Sequence, residues 1–334
     1  MPDAVWFSAP GAAEIRSEPP QRVGPTDVRV CALLSGLSAD SELLVYRGHA
    51  PSDLPPDLPT VEGDFRLPIK FGYANVGLVM EVGAAVADLE VGDLVFAHHP
   101  HQTEYVVAAA FPVRLPTGLP AERGVFAANL ETAATVVLDA HPRLDEAVLV
   151  VGQGIVGLLV TTLLKRVGAR PIIAVDLHEL RRDAAVRAGA DHAVGPGDGL
   201  VRHVMELTGG RGVDVAIEAS GSPAALQSCV DTASFGGTVV VASWYGAREV
   251  KLALGGAFHR RRLRLVSSQV STLDPTLSPR WSRDRRTELV RTLLTELPLE
   301  NVISHRIPFS AAASAYELLE EKPEECLQVV LDYV

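Results

Sequence analysis

Two hydrophobic patterns divide the chain. Up to about residue 120, apolar positions come in short Val-rich runs punctuated by Gly and Pro: DVRVCALLSG (27–36), VGLVMEVG (76–83), GDLVFAHH (92–99) and EYVVAA (104–109). Such runs predict strands joined by turns. The stretch HAPSDLPPDLPTVEGD (49–64) predicts a Pro-rich loop. No 3.6-residue period persists before about residue 121, so this part is expected to be mainly β. Beyond it, continuous apolar runs alternate with helix-length segments. AVLVV (147–151) precedes a helix expected over 155–167, and PIIAV (171–175) precedes LHELRRDAAVRAG. GLVRHVMELTGG then VDVAIEAS, and AALQSCVDTASFGG then TVVVAS, repeat the unit. Strands buried on both faces and separated by helices predict an α/β, doubly wound parallel sheet. The chain ends on strand, helix and strand, in ISHRIPFSAAASAYELLEEKPEECLQVVLDYV.

At 334 residues the chain is long enough for two domains. Hydrophobic residues make up 47% and charged residues 21%, enough apolar material for two cores. A formal charge of −11 disfavours nucleic acid or an anionic membrane as partner and leaves a small-molecule substrate. The basic clusters HRRRLRL (259–265) and RWSRDRR (280–286) are local exceptions, expected as solvated edges or as an anion-binding rim. Nothing at the amino terminus reads as a signal peptide, and no window approaches a membrane span. Cys31, Cys229 and Cys326 are too scattered for a spacing motif. A reduced, cytoplasmic protein is expected.

The strongest chemical signal is VVGQGIVGLLV. Gly152, Gly154 and Gly157 fit G-x-G-x-x-G directly after a strand, with Ile155 and Val156 opening the helix. The first Gly permits a tight turn, and the second lets main chain approach a pyrophosphate. The third allows close helix packing, and the helix N-terminus faces the phosphates. The next strand ends at Asp176, nineteen residues beyond Gly157, where a carboxylate accepts hydrogen bonds from the adenosine ribose. A 2′-phosphate there would meet like charge, so NAD is expected over NADP. Arg181 and Arg182, close by in sequence, would soften that repulsion.

The β-rich first part, the mid-chain nucleotide unit and the C-terminal return together resemble the alcohol dehydrogenase-like medium-chain dehydrogenase/reductase superfamily. The resemblance is carried by GDLVFA (92–97), VGQGIVG (151–157), AVDLHELRRDAAVRAGAD (174–191) and GVDVAIEASG (212–221). It implies a GroES-like catalytic domain over 1–131 and 270–334, and an NAD-binding Rossmann domain over 132–269. It further implies hydride transfer with nicotinamide in the cleft between them, and a homodimer. The apolar edge LRLVSSQV (263–270) is the candidate dimer contact, since an uncovered hydrophobic edge tends to associate. Thr135 would flank the nicotinamide, and Ala219, Ser243 and Ser268 would complete the cofactor contacts.

The zinc positions depart from the family. Where catalytic-zinc members carry Gly-Ile-Cys, this chain has Gly36-Leu37-Ser38, and where they carry Gly-His-Glu it has Gly72-Tyr73-Ala74. Glu131 resembles the third ligand of polyol dehydrogenases but stands alone. Zinc takes three protein ligands from Cys, His and carboxylate, so no metal is expected. The structural-zinc lobe is replaced by AHHPHQTEYVV. His98 and His99 are expected on alternate faces of a strand that Pro100 bends, which argues against a rebuilt site. Without a Lewis acid, hydrogen-bond donors or proton-transfer groups must serve. Tyr73 would donate to a carbonyl oxygen, and His99 would relay or take a proton in the physiological range. Ser38 and Asp40 occupy the other ligand segment, and Glu131 approaches the nicotinamide side.

The reading favoured is a zinc-independent NAD-dependent dehydrogenase of a secondary alcohol or its ketone. SGLSADSE and KFGYANVG look like segments of bacteriochlorophyllide hydroxyethyl dehydrogenases, implying a specialised biosynthetic step. The alternatives are a zinc-free enoyl or quinone reductase of the same superfamily, and a dinucleotide-binding protein without catalysis.

Overall fold

The computed structural model describes every residue except Asp57, Pro59, Glu62 and Val334, the first three falling in the expected Pro-rich loop. Two compact units emerge, Met1–Ala128 with Glu288–Val334, and Asn129–Thr287.

In the first unit a larger sheet runs, in spatial order, Ile303–Pro308, Gln328–Asp332, Asp27–Gly36, Asn75–Val82, Leu94–Ala97 and Val113–Arg114, with Glu104–Ala108 also paired to Asp27–Gly36. Asp27–Gly36 shows the two-residue period of a half-buried strand, burying Val28, Val30, Ala32 and Leu34. Val28 and Val30 share a core with Val79, Val95, Tyr105 and Val107. Asp3–Ala9, Ala12–Ser17 and Ile69–Lys70 form a smaller sheet. The strand expected over 92–99 stops at Ala97. His98 and His99 therefore lie beyond it, and pleat alternation is not what separates them.

The second unit is a six-stranded sheet in which every pairing is parallel. Its spatial order is His192–Val194, Ile172–Val175, Val148–Val151, Val213–Glu218, Ala233–Val241 and Arg264–Ser267. Numbered along this unit, that is the doubly wound order 3-2-1-4-5-6. Val148–Val151 and Ile172–Val175 are buried throughout because helices cover both faces. The helix expected over 155–167 forms as Ile155–Val167 and ends on Gly168 at φ 80°. The strand order reverses between Val148–Val151 and Val213–Glu218, and ligands of such sheets bind at the carboxyl ends of the strands there. Among the described residues no helix is long and apolar enough to cross a membrane.

Candidate active site

At the reversal point of the second unit each glycine of the turn has its own reason. Gly152 has φ 94°, and a Cβ on it would lie 2.6 Å from the Ala219 carbonyl. A Cβ on Gly157 would lie 1.9 Å from Gly152 O, so only glycine lets the helix close onto the turn. Gly154 caps the helix, and among the described residues nothing lies within 4 Å of where its Cβ would be. That open approach to the first-turn N–H groups of Ile155 and Val156 is what a pyrophosphate requires.

Asp176 is buried, and it braces this turn. Its Oδ2 accepts the Gln153 N–H at 2.7 Å and its Oδ1 accepts the His178 N–H at 2.9 Å. Each carboxylate oxygen has a further lone pair for a ribose hydroxyl. Arg182 Nη1 donates to the carbonyls of Asp176 (3.0 Å) and Leu177 (2.7 Å), so it is held to main chain; Arg181 is partly buried beside it. Ser243 Oγ accepts the Gly221 N–H at 2.8 Å, close to Ala219. Ser268 donates its N–H to Val241 O at 2.9 Å and hydrogen-bonds Asp139, whose carboxyl is raised by burial. These residues fit a dinucleotide. Sequence reasoning missed Glu218, completely buried at the end of its strand, with Ser220 on Oε1 and the Tyr245 hydroxyl on Oε2 at 2.5 Å. No motif flags a carboxylate held between a neighbouring serine and a tyrosine 27 residues away.

Thr135 and Glu131 lie one turn apart on the helix Ala127–Ala140, and Arg286 reaches both. The Thr135 hydroxyl donates to Glu131 O (2.8 Å) and accepts from Arg286 Nη1 (2.9 Å), while Arg286 Nη2 stands 3.9 Å from Glu131 Oε1. Arg286 is buried, so the basic cluster 280–286 is not wholly a solvated edge. Its guanidinium also donates to Val270 O at 2.6 Å, which explains the burial. Arg285, by contrast, lies over the Trp281 ring at 4.3 Å.

The remaining candidates lie in the first unit. Ser38 is buried, and its Oγ accepts the N–H groups of Ser41 (3.2 Å) and Asp40 (3.4 Å) ahead of the short helix Ser41–Tyr46. Asp40 is exposed, and its carbonyl accepts the Leu44 N–H at 3.0 Å. Tyr73 is grouped with this segment. Burial holds its hydroxyl well above the ordinary phenol range, and the Glu42 and Asp40 carboxylates push it further. Hydrogen bonding to the Ser38 and Ser41 side chains works against them. The phenol is therefore a donor at any physiological pH.

His99 has different company. Its ring stacks on Tyr105 with centroids 3.7 Å apart, and Nδ1 donates to Pro100 O at 2.9 Å. Burial pushes its titration down to about 3, against the hydrogen bond to Pro100 and with help from Lys70 and His101. It is neutral through the physiological range, where the sequence suggested it would titrate. His101 is completely buried between Ser35 and Glu42. Neither Ser38 nor Tyr73 supplies a donor that zinc prefers. Among the described residues no three His, Cys, Asp or Glu side chains gather as a metal site.

Comparison with known proteins agrees with this architecture. The family described as zinc-binding dehydrogenase matches residues 156–283, which all lie in the second unit and do not include Ser38 or Tyr73. D-guloside 3-dehydrogenase of Escherichia coli K12 is 32% identical over 269 residues, covering 78% of this chain and 77% of the relative. The structure of 2R,3R-butanediol dehydrogenase from Bacillus subtilis superposes with a TM-score of 0.82 at 21% identity, covering 100% of both chains. An alcohol dehydrogenase from Escherichia coli CFT073, complexed with NADH, gives 0.82 at 20% identity over 99% of each chain. The chain belongs to the alcohol dehydrogenase-like medium-chain dehydrogenase/reductase superfamily, and is an oxidoreductase of the alcohol and polyol dehydrogenase type that uses a nicotinamide cofactor.

Proposed function

We propose that this protein is a zinc-independent, NAD(H)-dependent oxidoreductase that interconverts a secondary alcohol and its ketone, with Tyr73 as the donor to the substrate oxygen. The observation that carries the reading is Tyr73 itself. A phenol held in its protonated form stands where zinc-dependent members place an imidazole, with Ser38 where they place a thiolate.

The glycine turn would hold the pyrophosphate of a dinucleotide, whose nicotinamide would supply or take the hydride. Reduction of a carbonyl develops negative charge on oxygen, and a positioned O–H donor stabilises that charge as it forms. Tyr73 supplies the O–H. Ser38 hydrogen-bonds the phenol and, through the main-chain N–H groups of Asp40 and Ser41, is itself fixed in place. Asp176 supports NAD over NADP, because a 2′-phosphate would face its buried carboxylate. Relatives named for a guloside and for butanediol support a hydroxyl-bearing substrate. An exposed strand edge, Arg264–Ser267, supports a homodimer.

Purified protein should carry far less than one zinc per chain and keep its activity after chelation. With NADH it should turn over a panel of ketones and not a panel of enones. Near-stoichiometric zinc lost together with activity, or turnover of enones alone, would overturn the reading.

A further inference from the structure

Tyr73 stands next to a buried polar chain that the proposed chemistry leaves unused. Glu42, in the Ser41–Tyr46 helix, is completely buried, and its Oε2 accepts from His101 Nε2 at 3.0 Å and from the Tyr316 hydroxyl at 2.8 Å. His101 is completely buried too, and its Nδ1 lies 2.7 Å from Ser35 Oγ, which lies 2.9 Å from the Tyr333 hydroxyl. One direction of donation satisfies all of them. Tyr333 donates to Ser35, Ser35 to His101 Nδ1, and His101 Nε2–H and Tyr316 to the carboxylate. The order Ser, His, Glu is that of a nucleophilic triad, but Ser35 is itself completely buried, so no substrate reaches it. Any influence of the chain on a substrate would have to pass through a neighbour.

Two features make that neighbour Tyr73. A Cβ on Gly72 would lie 2.6 Å from both Cδ2 and Nε2 of His101, so the main chain leading into Tyr73 rests directly on this imidazole. Glu42 is also the charge that acts most strongly on the Tyr73 hydroxyl, ahead of Asp40. The groups facing Glu42 are His101, Tyr316, Tyr333 and Tyr73, from four separate segments. Among the described residues its second oxygen, Oε1, has no hydrogen-bond partner although it is buried. A half-satisfied carboxylate in a core costs stability, and such costs persist where they serve a site.

We propose that Glu42, clamped by His101 and Tyr316, is the positioning residue for Tyr73: its fixed negative charge keeps the phenol's proton in place until the substrate oxygen draws on it. The role rests on Tyr73 being the donor. Glu42 touches no substrate.

The test is an alkaline titration of tyrosinate absorbance in the full-length protein, with Tyr73→Phe as the blank that isolates Tyr73. In Glu42→Gln the Tyr73 midpoint should fall by about one pH unit or more, since a like charge has been removed. Glu42→Asp, which keeps the charge, should restore the wild-type curve. Ketone reduction by Glu42→Gln should gain an alkaline limb absent from the wild type, while NADH affinity stays within about twofold. If Glu42→Gln does not fold, Glu42→Met removes the charge at similar volume and serves the same titration. A Tyr73 midpoint that does not move in either folded variant, with kcat still lost in Tyr73→Phe, would overturn the role of Glu42 alone. Wild-type kcat in Tyr73→Phe would overturn the reading beneath it.

Discussion

Replacing Asp176 by Asn separates two jobs that its carboxylate performs. In the wild type, two main-chain N–H groups, of Gln153 and His178, converge on the carboxylate of a residue only 7% exposed. Asn offers one acceptor oxygen, so its NH2 must face one of the two N–H groups donor to donor. One charge-assisted hydrogen bond is lost and a buried N–H is left unsatisfied, a cost of about 2 kcal/mol. For a unit of this size that lowers Tm by about 4–8 °C. The ribose hydroxyls lose a charged acceptor as well, which should weaken NADH by about 10- to 100-fold. NADPH should weaken less, because the repulsion on its 2′-phosphate goes with the charge. Calorimetric melting of the cofactor-free protein and titration calorimetry with both cofactors read the three effects separately. A Tm within about one degree of wild type would refute the brace. Equal losses for NADH and NADPH would refute the discrimination.

Three further outcomes are expected. Gly157→Ala places a methyl 1.9 Å from Gly152 O, so the helix must back away from the turn; the protein should fold, with NADH affinity reduced at least about tenfold in the same calorimetric titration. His99 charges at about 3 in the fold against an ordinary 6.5, so between those values the unfolded chain binds more protons and stability falls as pH drops. Its contribution is complete above about pH 6.5, and His99→Asn, which keeps a donor for Pro100 O, should flatten the roughly 2 kcal/mol decline in urea stability between about pH 7 and pH 5 without moving the activity profile near neutrality. The homodimer should appear by light scattering at micromolar concentration, and a charged residue in place of Leu265, exposed on the edge strand, should dissociate it; a monomeric wild type would contradict the edge contact.

The nucleotide-binding half was legible because its physics is local. Fully apolar four-residue strands, a glycine turn and a helix that begins immediately afterwards are adjacent in sequence, and they form as read at Val148–Val151 and Ile155–Val167. Elements whose burial is decided at a distance were not. Arg283–Glu296 is a 14-residue helix whose first turns are almost wholly charged, so its buried stripe of Val290, Leu293 and Leu294 is confined to its second half and is too short to announce the whole element. The opening hairpin, Asp3–Ala9 with Ala12–Ser17, was passed over because its outer strand buries no residue completely. At the site, Ser38 and Tyr73 stood out because a family pattern made their substitution visible. Glu42, His101 and Tyr316 share no spacing: the contacts span 59 and 274 positions, and only the fold brings them together. His99 shows the opposite limit. Its residue type suggested a neutral-pH base, and burial against Tyr105 removes that property.

If a phenol does here the work a metal does elsewhere in the superfamily, removing one hydroxyl should remove most of the turnover. Tyr73→Phe keeps the ring and removes only the hydroxyl. Steady-state reduction of the best ketone substrate, with zinc content measured on the same preparation, should show kcat lowered by about 10²-fold, NADH affinity unchanged and zinc far below one per chain. A variant that retains most of its kcat would make Tyr73 a packing residue and contradict the account.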